Sequence, residues 1–171
     1  MSRGVVLRLD AACDAAVRAL WTGLSAVGVP SLETHTHRQH APHVSLTVAE
    51  NLDREHTTQA LAMVSRRDSL RVTLNAVGVF PEGVLFLTVV PTTALLDLQA
   101  EVHAIVTNLD TTIAPWPHSA PGCWTPHLTF GYGLTPQDAP AIALTLQGHL
   151  PLASATSLWL EDGSSGESWR I

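Results

Sequence analysis

Lysine is absent from this 171-residue chain, and all nine of its basic residues are arginine. Against 15 acidic residues this leaves a formal charge of −6. That sign does not suit a protein gripping long RNA or DNA, where affinity grows with each cation set against a phosphate. The nearest approach to a basic patch, Arg66-Arg67 with Arg71, falls at an expected helix end and reads as a solvated face. Cysteine is scarce as well. Cys13 and Cys123 give neither a disulfide framework nor a spaced metal-ligand set, so two reduced thiols are expected. No apolar run reaches the roughly 18–20 residues that cross a bilayer, and no apolar leader precedes the strand-like Val5 segment. These absences point to a cytoplasmic, monomeric protein with no membrane partner and no large nucleic-acid surface. The 46% hydrophobic content supplies one substantial core, and the length is short for two.

What the chain has is a repeated phrase: Pro42-His43-Val44-Ser45-Leu46 and Pro126-His127-Leu128-Thr129-Phe130. Apolar and polar positions alternate in both, as in a strand with one buried face. Val44, Leu46, Leu128 and Phe130 should enter a core, leaving His43, Ser45, His127 and Thr129 on the other face. The surrounding elements repeat too. Val5 to Leu9 reads as a strand, followed by a helix from Ala11 to Val27 capped by Asp10, then the first motif strand. A helix capped by Asn51 or Asp53 follows, running to about Ser65, and then a strand from Leu70. The order restarts with a strand at Val84 to Val90 and a helix capped by Thr92 or Thr93. The second motif strand comes next, then a helix over Pro136 to Gln147 and strands at Leu150 to Leu160 and Ser168 to Ile171. The pattern predicts an α+β fold in one domain of two lobes. These are a pseudo-two-fold duplication of a β-α-β-α-β-β unit with approximate repeats 1–82 and 83–171, antiparallel sheets lining a cleft and helices outside.

In-line cleavage of a phosphodiester takes a proton from the nucleophile and gives one to the leaving oxygen on the opposite side. Two histidines can divide that work near neutral pH. Supplied one per lobe, His43 and His127 would stand on opposite sides of the cleft. Ser45 and Thr129 would hydrogen-bond the non-bridging phosphate oxygens as charge develops.

The two phrases resemble the paired His-x-Thr/Ser-x tetrads of the 2H phosphoesterase superfamily, which includes 2′-5′ RNA ligase-like proteins and cyclic nucleotide phosphodiesterases. Here the tetrads are His43-Val44-Ser45-Leu46 and His127-Leu128-Thr129-Phe130, and the resemblance spans essentially the whole chain. It implies catalysis without metal or cofactor: opening of a 2′,3′-cyclic phosphate on a nucleotide or short RNA end, with a 2′-phosphate product. Reversible 2′-5′ ligation, or a non-catalytic module holding a phosphorylated ligand, are the alternatives. Relatives often carry a basic residue just before the second tetrad. Cys123 stands in that region here, and Arg38 is the substitute for charge neutralisation. Phe80, Trp124 and Tyr132 are candidates for stacking a base, while Trp21, Trp159 and Trp169 are assigned to packing. The run His35, His37, His40 invites a metal reading, but no carboxylate or cysteine completes it nearby, and a loop lining the cleft is expected instead.

Overall fold

A computed structural model describes residues 2–35, 39–66, 69–110, 112–148 and 152–171. Eleven elements follow one another: β1 (Ser2–Leu9), α1 (Ala11–Ala26), β2 (His43–Glu50), α2 (Arg54–Ser65), β3 (Arg71–Phe80), β4 (Val84–Val89), α3 (Thr93–Thr107), β5 (His127–Gly131), α4 (Ala139–Leu146), β6 (Leu152–Asp162) and β7 (Ser168–Arg170). The helices begin where local chemistry says they should. The side chains of Asp10, Asp53 and Thr92 accept hydrogen bonds from the backbone N–H of Cys13, His56 and Leu95, meeting donors that a helix start otherwise orphans. The expected helix at Pro136 divides into a 3₁₀ turn, Pro136–Asp138, and the short α4. Among the described residues no helix is long and apolar enough to cross a membrane.

The strands form one antiparallel sheet ordered β2-β1-β6-β3-β4-β5, with β7 branching from β6. The α+β expectation holds. β6 joins the two halves of this order: Leu152 to Ala155 pair with β3, and Thr156 to Asp162 pair with β1. The sheet curls so that β2 and β5, at opposite ends of the order, touch. Helices pack on one face, α1 against α4 and β6, α2 against α3 and β6, and α3 against β2. That face is the core. Val5, Leu7, Val44, Leu46, Leu74, Leu85, Leu87, Leu128 and Phe130 meet Val17, Leu20 and Leu24 of α1 and Leu95, Val102 and Val106 of α3 in one buried cluster. All four apolar tetrad residues are fully buried, as the alternation demands.

Register exposes an internal symmetry. In β2-β1-β6 the rows read His43–Arg8–Ser157 and Ser45–Val6–Trp159, and Gly4 then faces Glu161. In β5-β4-β3 they read His127–Thr88–Ala76 and Thr129–Phe86–Gly78, and Val84 then faces Phe80. The two triplets correspond row for row in register. The third strand of each sequence half pairs with the first strand of the other: β3 lies against β4, and β6 against β1.

Candidate active site

Each tetrad carries the same irregularity. Ser45 pairs with Val6 and Thr47 with Val5, so Leu46 is an extra residue in β2. Thr129 pairs with Phe86 and Gly131 with Leu85, so Phe130 is an extra residue in β5. A bulge at the fourth tetrad position bends each strand just past its hydroxyl. It also breaks the alternation: Leu46 and Thr47 are both buried, as are Phe130 and Gly131. The outer edges of both strands are covered by crossed loops. Trp116 donates its N–H to Val48 O at 2.8 Å, and the Trp124 indole donates to Ser45 O at 2.9 Å. On the other side Leu32 donates to Phe130 O at 2.7 Å. A Cβ at Gly131 would lie 3.0 Å from the Pro30 carbonyl carbon, so this close approach requires glycine. The loop entering each tetrad thus straps the strand that bears the other.

The histidines are held alike. Nδ1 of His43 lies 2.9 Å from Ala41 O, and Nδ1 of His127 lies 2.7 Å from Thr125 O. A carbonyl only accepts, so each Nδ1 carries the proton and each Nε2 is the nitrogen available for proton transfer. The rings are near enough for the charge of His43 to act on His127.

Their surroundings differ. Phe80 and Phe86 stack at 4.1 Å between ring centroids, and both present their rings to His127, at 5.0 and 5.4 Å. Burial is the main reason His127 is held below its ordinary pKa of 6.5. The Thr125 hydrogen bond opposes that shift, and the charges of His43 and His118 add to it. His127 is therefore mostly neutral at pH 7. Beside His43 stands the buried carboxylate of Glu161, with Oε1 3.6 Å from Nδ1. Its other oxygen pairs with Arg8 Nη2 at 2.8 Å, and that guanidinium lies over the Trp159 ring.

The structure brings His43, Ser45, His127, Thr129 and Phe80 to the face opposite the helices. Tyr132 joins them, close enough to the Thr129 side chain to interact with it, its ring 4.8 Å from that of His35. Trp124 is placed differently from a free stacking surface, because its indole is committed to Ser45 O and packs on the core. Trp159, assigned to packing, lies in the cleft-face row beside Ser45 and Val6. Arg38 and His37 lie outside the described residues. Among those described, no three His, Cys, Asp or Glu side chains are grouped as metal ligands. Arg8, Glu161, Phe86 and Gln99 escape a sequence reading. The only hint is a charge at the end of an otherwise apolar strand, Arg8 after Val5-Val6-Leu7 and Glu161 after Leu158-Trp159-Leu160. The Gln99 amide, buried on α3, donates to Leu46 O at 3.1 Å and Ser119 O at 2.6 Å. It ties the bulge of one tetrad to the loop leading to the other.

A family model described as the 2′-5′ RNA ligase superfamily matches residues 10–158, which contain both tetrads. Among solved structures, one described as a phosphoesterase shares the fold with a TM-score of 0.58 at 14% identity, covering 99% of this chain and 92% of that one. Kluyveromyces marxianus Usb1 aligns with a TM-score of 0.48 at 16% identity, covering 99% and 98%. No curated protein matches the sequence.

Proposed function

The chain belongs to the 2′-5′ RNA ligase superfamily, and from that premise we propose that it opens 2′,3′-cyclic phosphates on nucleotides or short RNA ends, leaving a 2′-phosphate. The observation carrying this reading is the matched pair of imidazoles, each with Nδ1 tied to a carbonyl two residues upstream and Nε2 left for proton transfer. One takes a proton from water as the water oxygen bonds to phosphorus. The other gives a proton to the departing sugar oxygen. Ser45 and Thr129 occupy equivalent rows between the histidines and the bulges, where their hydroxyls would hydrogen-bond the non-bridging oxygens. Tyr132 would steady the Thr129 hydroxyl. The outward side of Phe80 offers a platform for a base, and a single stack contributes about 1–3 kcal/mol. The formal charge of −6 favours a small substrate over a long RNA.

The test is a panel of nucleoside 2′,3′-cyclic phosphates, short cyclic-ended RNAs and 2′-5′ dinucleotides, with products identified. Wild-type protein should open the cyclic phosphates with EDTA present. His43→Ala and His127→Ala should each lose roughly 10²–10⁴-fold in kcat, the usual worth of one positioned proton transfer, with unchanged circular dichroism. Full activity in either variant would overturn the reading. Turnover confined to 2′-5′ linkages would instead support the ligase-type chemistry for which the superfamily is described.

A further inference from the structure

The two half-sites are equivalent in register but not in chemistry. Where His127 has Phe80 two rows along the third strand, His43 has Glu161. Where Thr88 stands directly across from His127, Arg8 stands across from His43. One imidazole therefore adjoins a buried carboxylate braced by a guanidinium, and the other adjoins two phenyl rings.

Building on the proposed phosphodiester chemistry, we infer that Glu161, held by Arg8, is a positioning residue that makes His43 the proton donor and leaves His127 as the base. Among the described residues, the charged and titratable groups facing His43 are Glu161 from β6, Arg8 from β1 and His127 from β5. Among the described residues only Glu161 is a carboxylate beside this ring, its Oε1 3.6 Å from Nδ1. Arg8 supplies the compensating charge, so the carboxylate does not repel an incoming phosphodiester. His127 sits among hydrocarbon, where the neutral ring is favoured, and its depressed pKa agrees. In the step itself, His127 Nε2 takes a proton from water and the water oxygen bonds to phosphorus. The bond from phosphorus to O3′ breaks, and His43 Nε2–H protonates O3′. The two rings end with their protonation states exchanged and reset with solvent.

A donor is dispensable when the leaving group needs no proton, and this gives a test that a merely structural role would not pass. Wild type, Glu161→Gln, His43→Ala and His127→Ala are assayed on a nucleoside 2′,3′-cyclic phosphate and on a 2′-deoxynucleoside 3′-(4-nitrophenyl phosphate), which has no 2′-hydroxyl to attack in place of water. The nitrophenolate of the second departs unprotonated. Glu161→Gln should lose about 10–100-fold in kcat on the cyclic phosphate, below the full 10²–10⁴-fold of a lost proton transfer, and under about 3-fold on the nitrophenyl ester. His43→Ala should show the same selectivity, and His127→Ala should lose both activities. The ratio of two rates in one preparation is independent of the fraction folded. The Arg8→Met/Glu161→Met double variant removes both charges together, leaves neither buried alone, and should show the same ratio. Equal losses on both substrates in Glu161→Gln, or nitrophenyl activity surviving in His127→Ala and not in His43→Ala, would overturn the assignment while the phosphodiesterase reading stands. An inactive wild type would overturn both.

Discussion

Gly78 allows a direct test of why His127 is neutral. It lies across from Phe86 in the β3–β4 ladder, and the Phe86 ring occupies the space a side chain would fill. A Cβ there would sit 2.6 Å from Cε2 and 3.0 Å from Cε1 of Phe86, and nearer still to Cζ. Carbon atoms prefer about 3.5–4.0 Å, so Gly78→Ala must drive the ring back by roughly 1 Å. Phe80, stacked on that ring at 4.1 Å, must follow. Overpacking of this kind costs about 1–3 kcal/mol, which a urea titration will read. The sharper consequence is at His127. Opening the aromatic wall admits water, weakens the desolvation that lowers its pKa, and should move its titration up toward the ordinary 6.5. A base with a higher pKa is protonated over a wider range, so the acid limb of the pH–rate profile should shift to higher pH. Activity at pH 6 should then fall relative to pH 8. The His127 midpoint can be followed by NMR of the ring resonances. Phe86→Leu, which removes the ring without crowding, should move it the same way. A midpoint that stays put or falls in both variants would refute burial as the cause.

Three further outcomes follow from the same packing. Gln99→Leu leaves two buried carbonyls, Leu46 O and Ser119 O, without the amide that serves them. At roughly 1–3 kcal/mol for each orphaned group the loss should be about 2–6 kcal/mol in a denaturant titration, and a change under about 1 would count against the clamp. Arg8→Met strands the Glu161 carboxylate in a buried site. It should destabilise by about 3–5 kcal/mol, whereas the double variant with Glu161→Met should recover most of that. Burial holds His127 and His103 below 6.5 in the folded protein. The unfolded chain therefore binds more protons between those folded values and 6.5, and stability should fall as pH drops from about 6.5. Asp10 and Asp162 are held below their ordinary 3.8, chiefly by hydrogen bonds from Cys13 N–H and the Ser164 hydroxyl. Their contribution is present above 3.8 and should vanish as pH falls further. A urea midpoint that is flat between pH 8 and pH 5 would contradict the histidine part.

What was legible in the chain was what is local. Asp10, Asp53 and Thr92 announce their helices because a cap and its N–H partners lie within three residues. The tetrads announce themselves because strand alternation sorts His43 and Ser45 from Val44 and Leu46 without any knowledge of neighbours. The repeat of strand and helix order was legible for the same reason. The bulges were not, since an extra residue exists only relative to a partner strand, and Thr47 turns inward against simple alternation. Glu161 and Arg8 belong to strands at opposite ends of the chain, and their pairing follows from sheet order, which periodicity does not encode. Trp124 illustrates the converse. Its place beside the second tetrad pointed to the ligand side, while its indole hydrogen bonds the backbone of the first.

The exchange of third strands has a consequence for how the molecule comes into being. A ribosome that has completed β5 has made both histidines, yet β1 still lacks its neighbour β6, and the strap and the bulge around His43 rest on an incomplete sheet. Neither sequence half is a unit that could fold first and wait for the other, because each needs the other's last strand to close its own ladder. The β3-β4-β5 ladder can close once β5 is made, whereas the β2-β1 pair must wait for β6, so the pairing around His43 should form last, through contacts distant in sequence. Two sequence halves that have traded strands cannot be pulled apart into separate folded units, and the two histidines are bound to each other by topology before chemistry brings them together.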